Sequence, residues 1–402
     1  MTISSAPTSK NPSPRARPPL QRRGNLDQLR GVIMIIMALD HASFFIARMH
    51  SREFWGTTLP DYPSALPFLL RLVSHFCAPG FFFLMGVGMA LMADARLRAG
   101  WSHARLTRFF LVRGALLILL QLLVENPAWG LAFVFGDPGR FISRGGPLPG
   151  GGDGVAIYFG VLFALGAVMI VWAPMLRWHR GLLLALALGT IGCSQWVMPG
   201  PEASKTLYHE ALRLLMVPGR TGHVIVFYPM IPWLGVTGLG LFFGRCLATP
   251  EKKGRPYRWL GLTGLLLLAL FVLVRVWGGP GNLHPPDPGW IGFFNLTKYP
   301  PSLAFLLLTM GVNSLLLTGL SLKLVEQSSL FRVISVFGRT PLFFYVIHLY
   351  LYAMMGWLVP AGVSAPRMLI YWLAGLLVLY PLCRLYDGFK IRLPANSIWR
   401  YF

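Results

Sequence analysis

Charge is scarce in this sequence, and acidic charge is scarcest. Only 12% of the 402 residues are Asp, Glu, Lys or Arg, about half the share of a soluble globular domain. A water-soluble fold of this size is thereby excluded. Period-two alternation over ten-residue stretches is missing, which excludes an outer-membrane barrel. The cysteines Cys77, Cys193, Cys246 and Cys383 are scattered without metal-type spacing, so no chemistry is assigned to them and no metal is expected. The basic residues are spread over many short loops and form no single patch, which counts against nucleic acid. No internal repeat is visible, which counts against inverted-repeat transporters.

What is abundant is apolar length. The chain is 55% hydrophobic, with a mean hydropathy of +0.58. Several apolar runs exceed the roughly 20 residues that cross a bilayer. The expectation is an all-α polytopic membrane protein with a bundle of about ten helices, near 29–47, 67–93, 107–124, 154–174, 181–198, 223–246, 259–277, 301–322, 340–359 and 367–386. Residues 1–24, rich in Pro, Ser and Arg, read as a disordered basic cytoplasmic arm, and 25–402 as one transmembrane domain. The first span reads as an uncleaved anchor, not a signal peptide. With the N-terminus inside, roughly 25 of the 36 Lys and Arg fall on the inner side, which puts both termini in the cytoplasm. The loop near 136–153 reads as flexible, that near 199–222 as holding a short interfacial helix, and that near 278–300 as irregular. Gly86, Gly88, Gly240 and Gly244 fit close helix packing. The net charge of +22 fits the positive-inside bias and anionic membrane lipids; more sharply, it fits arginines that hold a phosphorylated donor.

The chemistry centres on residues 25–50, NLDQLRGVIMIIMALDHASFFIARMH. Asp40 and His41 sit inside an apolar span, where ionisable groups default to function. Arg30 and His41 are eleven positions apart, hence within about 20° of one helix face and about 16 Å apart along it. Arg30 alone could be a snorkelling arginine paired with Asp27, and His41 a neutral imidazole on a carbonyl. Together they suggest a cation leading to a base or an acyl carrier. Asp40 faces about 100° away from His41, so its partner is expected on another span.

Four further features could join this pair. Arg105 and Arg108 open the third span on one side of a helix N-terminus, equally suited to phosphate or to anchoring. Lys298 and Tyr299 stand at the outer mouth of the eighth span, where Lys298 either pairs with Asp40 or holds an acceptor, or both residues simply anchor the interface. Arg339 and His348 repeat the pattern of a basic residue followed by a deeper imidazole. His75, and Asn126 beside Glu125, could line the same cavity or serve as interfacial groups.

The segments LRGVIMIIMALDH, SHFCAPGFFFLMG, YPMIPWLGV, LTKYPPSL and FGRTPLFFYVIHLY resemble the bacterial relatives of the catalytic region of heparan-alpha-glucosaminide N-acetyltransferase. The Arg30–His41 spacing and the Arg105–Arg108 pair are also similar to the acyltransferase type 3 membrane enzymes. The resemblance implies a transmembrane O- or N-acyltransferase of the bacterial inner membrane. Such an enzyme passes an acyl group, acetyl first of all, from cytoplasmic acyl-CoA to a sugar hydroxyl or amine of a glycan or glycolipid outside. It would place His41, tuned by Asp40, at the catalytic centre. Arg30, Arg105, Arg108 and Arg339 would hold the donor, and Lys298, Tyr299, His348, His75 and Asn126 the acceptor. His50 and His348 compete with His41 as the key imidazole, and a homodimer stays open. The alternative is a proton-coupled transporter or permease for a lipid-linked sugar or small anion, with Asp40, His41 and His348 as relay.

Overall fold

Helices that are apolar on all sides have no face to give to water, and they pack around one another or face lipid. In the computed structural model the described residues are 23–49, 52–134, 148–151, 156–206, 209–249 and 254–393, without the side chains of Phe133, Lys205 and Glu326. The basic arm up to residue 22, most of the loop near 136–153, and His50 lie outside the described residues.

The chain begins with α1 (Gly24–Phe45), then α2 (Ala65–Ser74) and α3 (Cys77–Arg98). Next, α4 (His103–Leu120) runs through a π-helical turn, Gln121–Glu125, into α5 (Asn126–Val134). After β1 (Ile157–Phe159) come α6 (Val161–Trp172) with a 3-10 turn, and α7 (Arg180–Trp196). The short α8 (Pro201–Thr206) and α9 (Glu210–Leu215) precede β2 (Gly219–Arg220), β3 (Val224–Val226) and α10 (Met230–Ala248). Then follow α11 (Arg255–Trp277), α12 (Gly289–Phe294), α13 (Leu303–Leu320), α14 (Lys323–Glu326), α15 (Ser329–Arg339), α16 (Pro341–Trp357) and α17 (Ala365–Arg392).

Seven helical runs among the described residues are long and apolar enough to cross a membrane, or eight if α15 and α16, bent by 85°, form one span. Two of the ten expected spans fall short of that length. They are Val161–Arg177, a shorter apolar helix, and α7 with 17 residues. Two expected spans also begin late. Residues 157–159 and 224–226 are strands of a small sheet of order β1-β3-β2, with Ile157 opposite Val224 in the parallel pair. The β-branched Val224-Ile225-Val226 favours an extended backbone, and α10 starts only after Pro229.

The loop near 278–300 holds one short helix, α12, and is otherwise irregular, while that near 199–222 holds α8 and α9. Arg275, buried on α11 just before the 278–300 loop, donates to the carbonyls of Phe293 (2.8 Å) and Gly292 (2.8 Å) within it, so a guanidinium holds a loop that is mostly irregular.

Close packing follows the small residues. A Cβ on Gly86 would collide with the Thr237 carbonyl, and one on Gly240 with that of Phe83, so α3 and α10 meet backbone to backbone. Gly88 departs from that expectation: open space lies where its Cβ would be. At the centre, α1 packs on α3, α13, α15, α16 and α17. Arg30 Nη1 donates to the Gly338 carbonyl at 2.9 Å, joining the start of α1 to the end of α15. Consequently α1 and α16 run side by side in the same direction, with Arg30, Arg339 and Lys390 at one end, here called the basic end.

Candidate functional site

Parallel helices entering at the same level bring residues at similar depth into contact. His41, on α1, and His348, on α16, meet in this way: His41 Nδ1 is 2.6 Å from His348 Nε2, and the rings are 14° from parallel. His348 Nδ1 is 2.9 Å from the Phe344 carbonyl, one turn back on its own helix. A carbonyl only accepts, so Nδ1 of His348 carries its hydrogen. Its Nε2 then accepts from His41 Nδ1–H, and the basic lone pair of the dyad lies on His41 Nε2. Trp129 and Tyr345 stand edge-on to His41, with ring centroids at 5.1 and 6.3 Å. Trp129 Nε1 donates to Glu125 Oε1 at 3.0 Å. Glu125 is presented by the π-helical turn, a distortion that often marks functional positions.

A cavity of about 440 Å³ runs from the basic end as far as Tyr345, whose ring lies between it and His41. Arg30, Arg113, Arg339 and Lys390 line it, followed by Met34, Met85, Gly88 and Met89, and finally Tyr345. The open side of Gly88 is thus a cavity wall. Arg30 also pairs with Asp27 at 2.8 Å, and Arg339 with Asp387 at 2.7 Å. The structure places Arg105 and Arg108 elsewhere. Both are exposed on the first turns of α4, and Arg105 lies over Trp101, 4.2 Å from the ring centroid. Arg113, two turns deeper, faces the cavity instead.

At the opposite end a second cavity, about 1030 Å³, reaches Asp40 and Ser43 on the neighbouring face of α1. Asp61, Tyr62, Arg71, Ser364 and Arg367 also line it. Its floor is a buried ionic cluster. Arg71 Nη1 binds Asp40 at 2.8 Å, while Nε and Nη2 bind both oxygens of Glu53 at 2.7 Å. His75 Nε2 is 3.5 Å from Glu53. Burial alone would raise the Glu53 carboxyl, but the Arg71 fork outweighs it and holds this group well below the usual carboxylate range.

Asp40 therefore finds a partner on another helix, as expected, and that partner is Arg71. Lys298 is buried beside the cluster, with its backbone N–H donating to the Glu53 carbonyl at 3.1 Å. Its Nζ lies 5.2 Å from the Tyr299 ring centroid, and Tyr299 stacks on Phe54 at 4.9 Å. Asn126 accepts from Gln121 Nε2 at 3.3 Å at the π-helical turn and lines neither cavity. Arg71 and Glu53 are the residues that span-by-span reading passes over, while Arg113 follows the Arg105–Arg108 pair on the same span. A lone arginine inside an apolar run, as at Arg71, is the signal that could have found the cluster.

Among the described residues no group of three or more His, Cys, Asp or Glu could hold a metal ion. No curated protein matches the chain. Residues 22–274 match the family described as heparan-alpha-glucosaminide N-acetyltransferase, catalytic, a stretch that holds His41, Asp40, Arg71 and Arg113 but stops before His348. With its apolar spans and this match over more than half its length, the chain belongs to that family of membrane acetyltransferases.

Proposed function

We propose that the protein moves an acetyl group from acetyl-CoA on the cytoplasmic side to a hydroxyl or amine of a glycan or glycolipid on the outer side. One observation carries this reading: a single cavity leads from four basic side chains to Tyr345, and Tyr345 stands edge-on to His41 of the His41–His348 dyad. The basic mouth suits the phosphates of coenzyme A, with Arg30, Arg113, Arg339 and Lys390 as donors. The methionine-lined wall suits the flexible pantetheine arm. The second cavity, with Asp40, Asp61 and Arg367 on its wall, suits a polar acceptor approaching from outside.

In the reaction His41 Nε2 takes the proton of the attacking hydroxyl or amine. His348 accepts the hydrogen bond from His41 Nδ1–H and so fixes the ring that carries the basic nitrogen. The acceptor atom bonds to the thioester carbonyl, the C–S bond breaks, and the imidazolium returns its proton to the thiolate. Asp40 and Lys298 shape the acceptor side through the ionic cluster.

Purified protein given labelled acetyl-CoA and an aminosugar or polysaccharide acceptor should release coenzyme A and label the acceptor. His41→Ala should abolish both while thermal unfolding stays that of the wild type. Unchanged turnover in His41→Ala would overturn the assignment of the base. Proton-coupled uptake into vesicles without coenzyme release would favour transport.

A further inference from the structure

A third cavity, about 740 Å³, opens at the basic end between α7, α10 and α11, and has no residue in common with the two already described. Its rim carries Arg180 and Arg255, the first residues of α7 and α11. Both side chains are exposed, and no hydrogen bond or ion pair engages either guanidinium among the described residues. The partial positive charge at the start of each helix adds to theirs.

Below the rim the lining turns apolar: Leu184, Leu239, Phe242, Leu267 and Met310. From Arg255 to Leu267 is twelve residues, about 18 Å at 1.5 Å each. That is close to the depth of one leaflet, half of the roughly 30 Å hydrocarbon core. Trp259, 58% exposed, stands at the rim, where an amphipathic ring marks the bilayer interface. The groove is reached from the side as well, because only 28% of the α11 span is buried within the protein. Paired cations over a groove one leaflet deep match a single class of molecule in both charge and length.

We propose that this groove is a binding site for one anionic glycerophospholipid of the leaflet at the basic end. The headgroup phosphate sits between Arg180 and Arg255, and an acyl chain lies between Phe242 and Leu267. The site is independent of the acetyl-transfer reading, since it shares no residue with the dyad or its cavities.

The test is native mass spectrometry of the full-length protein, delipidated in neutral detergent and titrated with phosphatidylglycerol, phosphatidylcholine or inorganic phosphate. One phosphatidylglycerol should bind in preference to phosphatidylcholine, and excess phosphate should leave it in place. The double variant Arg180→Gln/Arg255→Gln should bind it on the order of tenfold more weakly. Thr263→Trp, which fills the groove and keeps both arginines, should weaken it too. Arg258→Gln, exposed on the same turn of α11 but outside the groove, should bind as the wild type does. Undiminished binding in the double variant, or an equal loss in Arg258→Gln, would overturn the site, as would displacement of the lipid by phosphate alone.

Discussion

His348 accepts a hydrogen from His41 and donates its own to the Phe344 carbonyl, so the two rings form a directed chain that ends on the backbone of α16. Its direction gives the second histidine a task distinct from the first. His348→Ala should lower the acetyl-transfer rate constant by about 10²-fold, within the range of a positioned acid–base system. The KM for acetyl-CoA should change little, because the basic mouth is untouched. Steady-state kinetics on both substrates checks this, and a rise in donor KM at unchanged rate constant would reject it.

The arginines divide into two groups. Arg113→Gln removes a cation from the cavity proposed to hold the donor and should raise the KM for acetyl-CoA by about tenfold, as for a charge-assisted bond to phosphate. Arg105→Gln and Arg108→Gln should leave it unchanged, since both side chains point to solvent and Arg105 is occupied with Trp101. Initial rates over a range of donor concentrations separate the two groups.

Removing the Arg71 guanidinium strands two carboxylates in a site where its own side chain is only 5% exposed. Arg71→Met should destabilise the fold by about 3–5 kcal/mol. The double change Arg71→Met/Glu53→Gln should recover part of that loss. Thermal melts in detergent would show it, and equal melting points for Arg71→Met and wild type would refute it.

Acid should act through Glu53. Its carboxyl is held well below the usual range by Arg71, against about 4.3 in an unfolded chain. A depressed folded value stabilises the protein fully above the unfolded value and progressively less as pH falls below it. Melting temperature should therefore drop as pH falls below about 4.3. Glu53→Gln should start lower and show a flatter acid limb. Parallel acid limbs for variant and wild type would exclude the assignment.

Gly86 and Gly88 are two positions apart with opposite surroundings. Gly86→Ala pushes a methyl into the α10 backbone and should cost about 1–3 kcal/mol. Gly88→Ala meets open space at the cavity and should leave stability nearly unchanged. Paired melting curves of the two variants decide this.

How much was legible in the sequence depends on the range of each interaction. The shared face of Arg30 and His41 follows from helix geometry alone, and the cavity follows it from Arg30 to Met34. The small sheet was missed because Ile157–Phe159 and Val224–Val226 pair across 67 positions, and each strand alone looks like the apolar start of a span. Helix geometry places the partner of Asp40 only on some other helix. Lys298 is a candidate from the sequence, but Arg71 binds two acids at once, and no single-helix period reveals such a bridge. His41 and His348 could be singled out separately, while their contact depends on two helices aligned 307 positions apart.

The cavity at the basic end is lined at its inner reach by Tyr345, whose ring centroid is 6.3 Å from that of His41. On the proposed acetyl-transfer reading, a barrier one aromatic side chain thick would act as a sieve for the cargo. Two carbons on a sulfur could slip past the phenol edge, whereas a fatty tail would have to push apart Tyr345, Trp129 and the dyad together. The same ring that guards the imidazole would thereby set the size of the group that passes through the membrane.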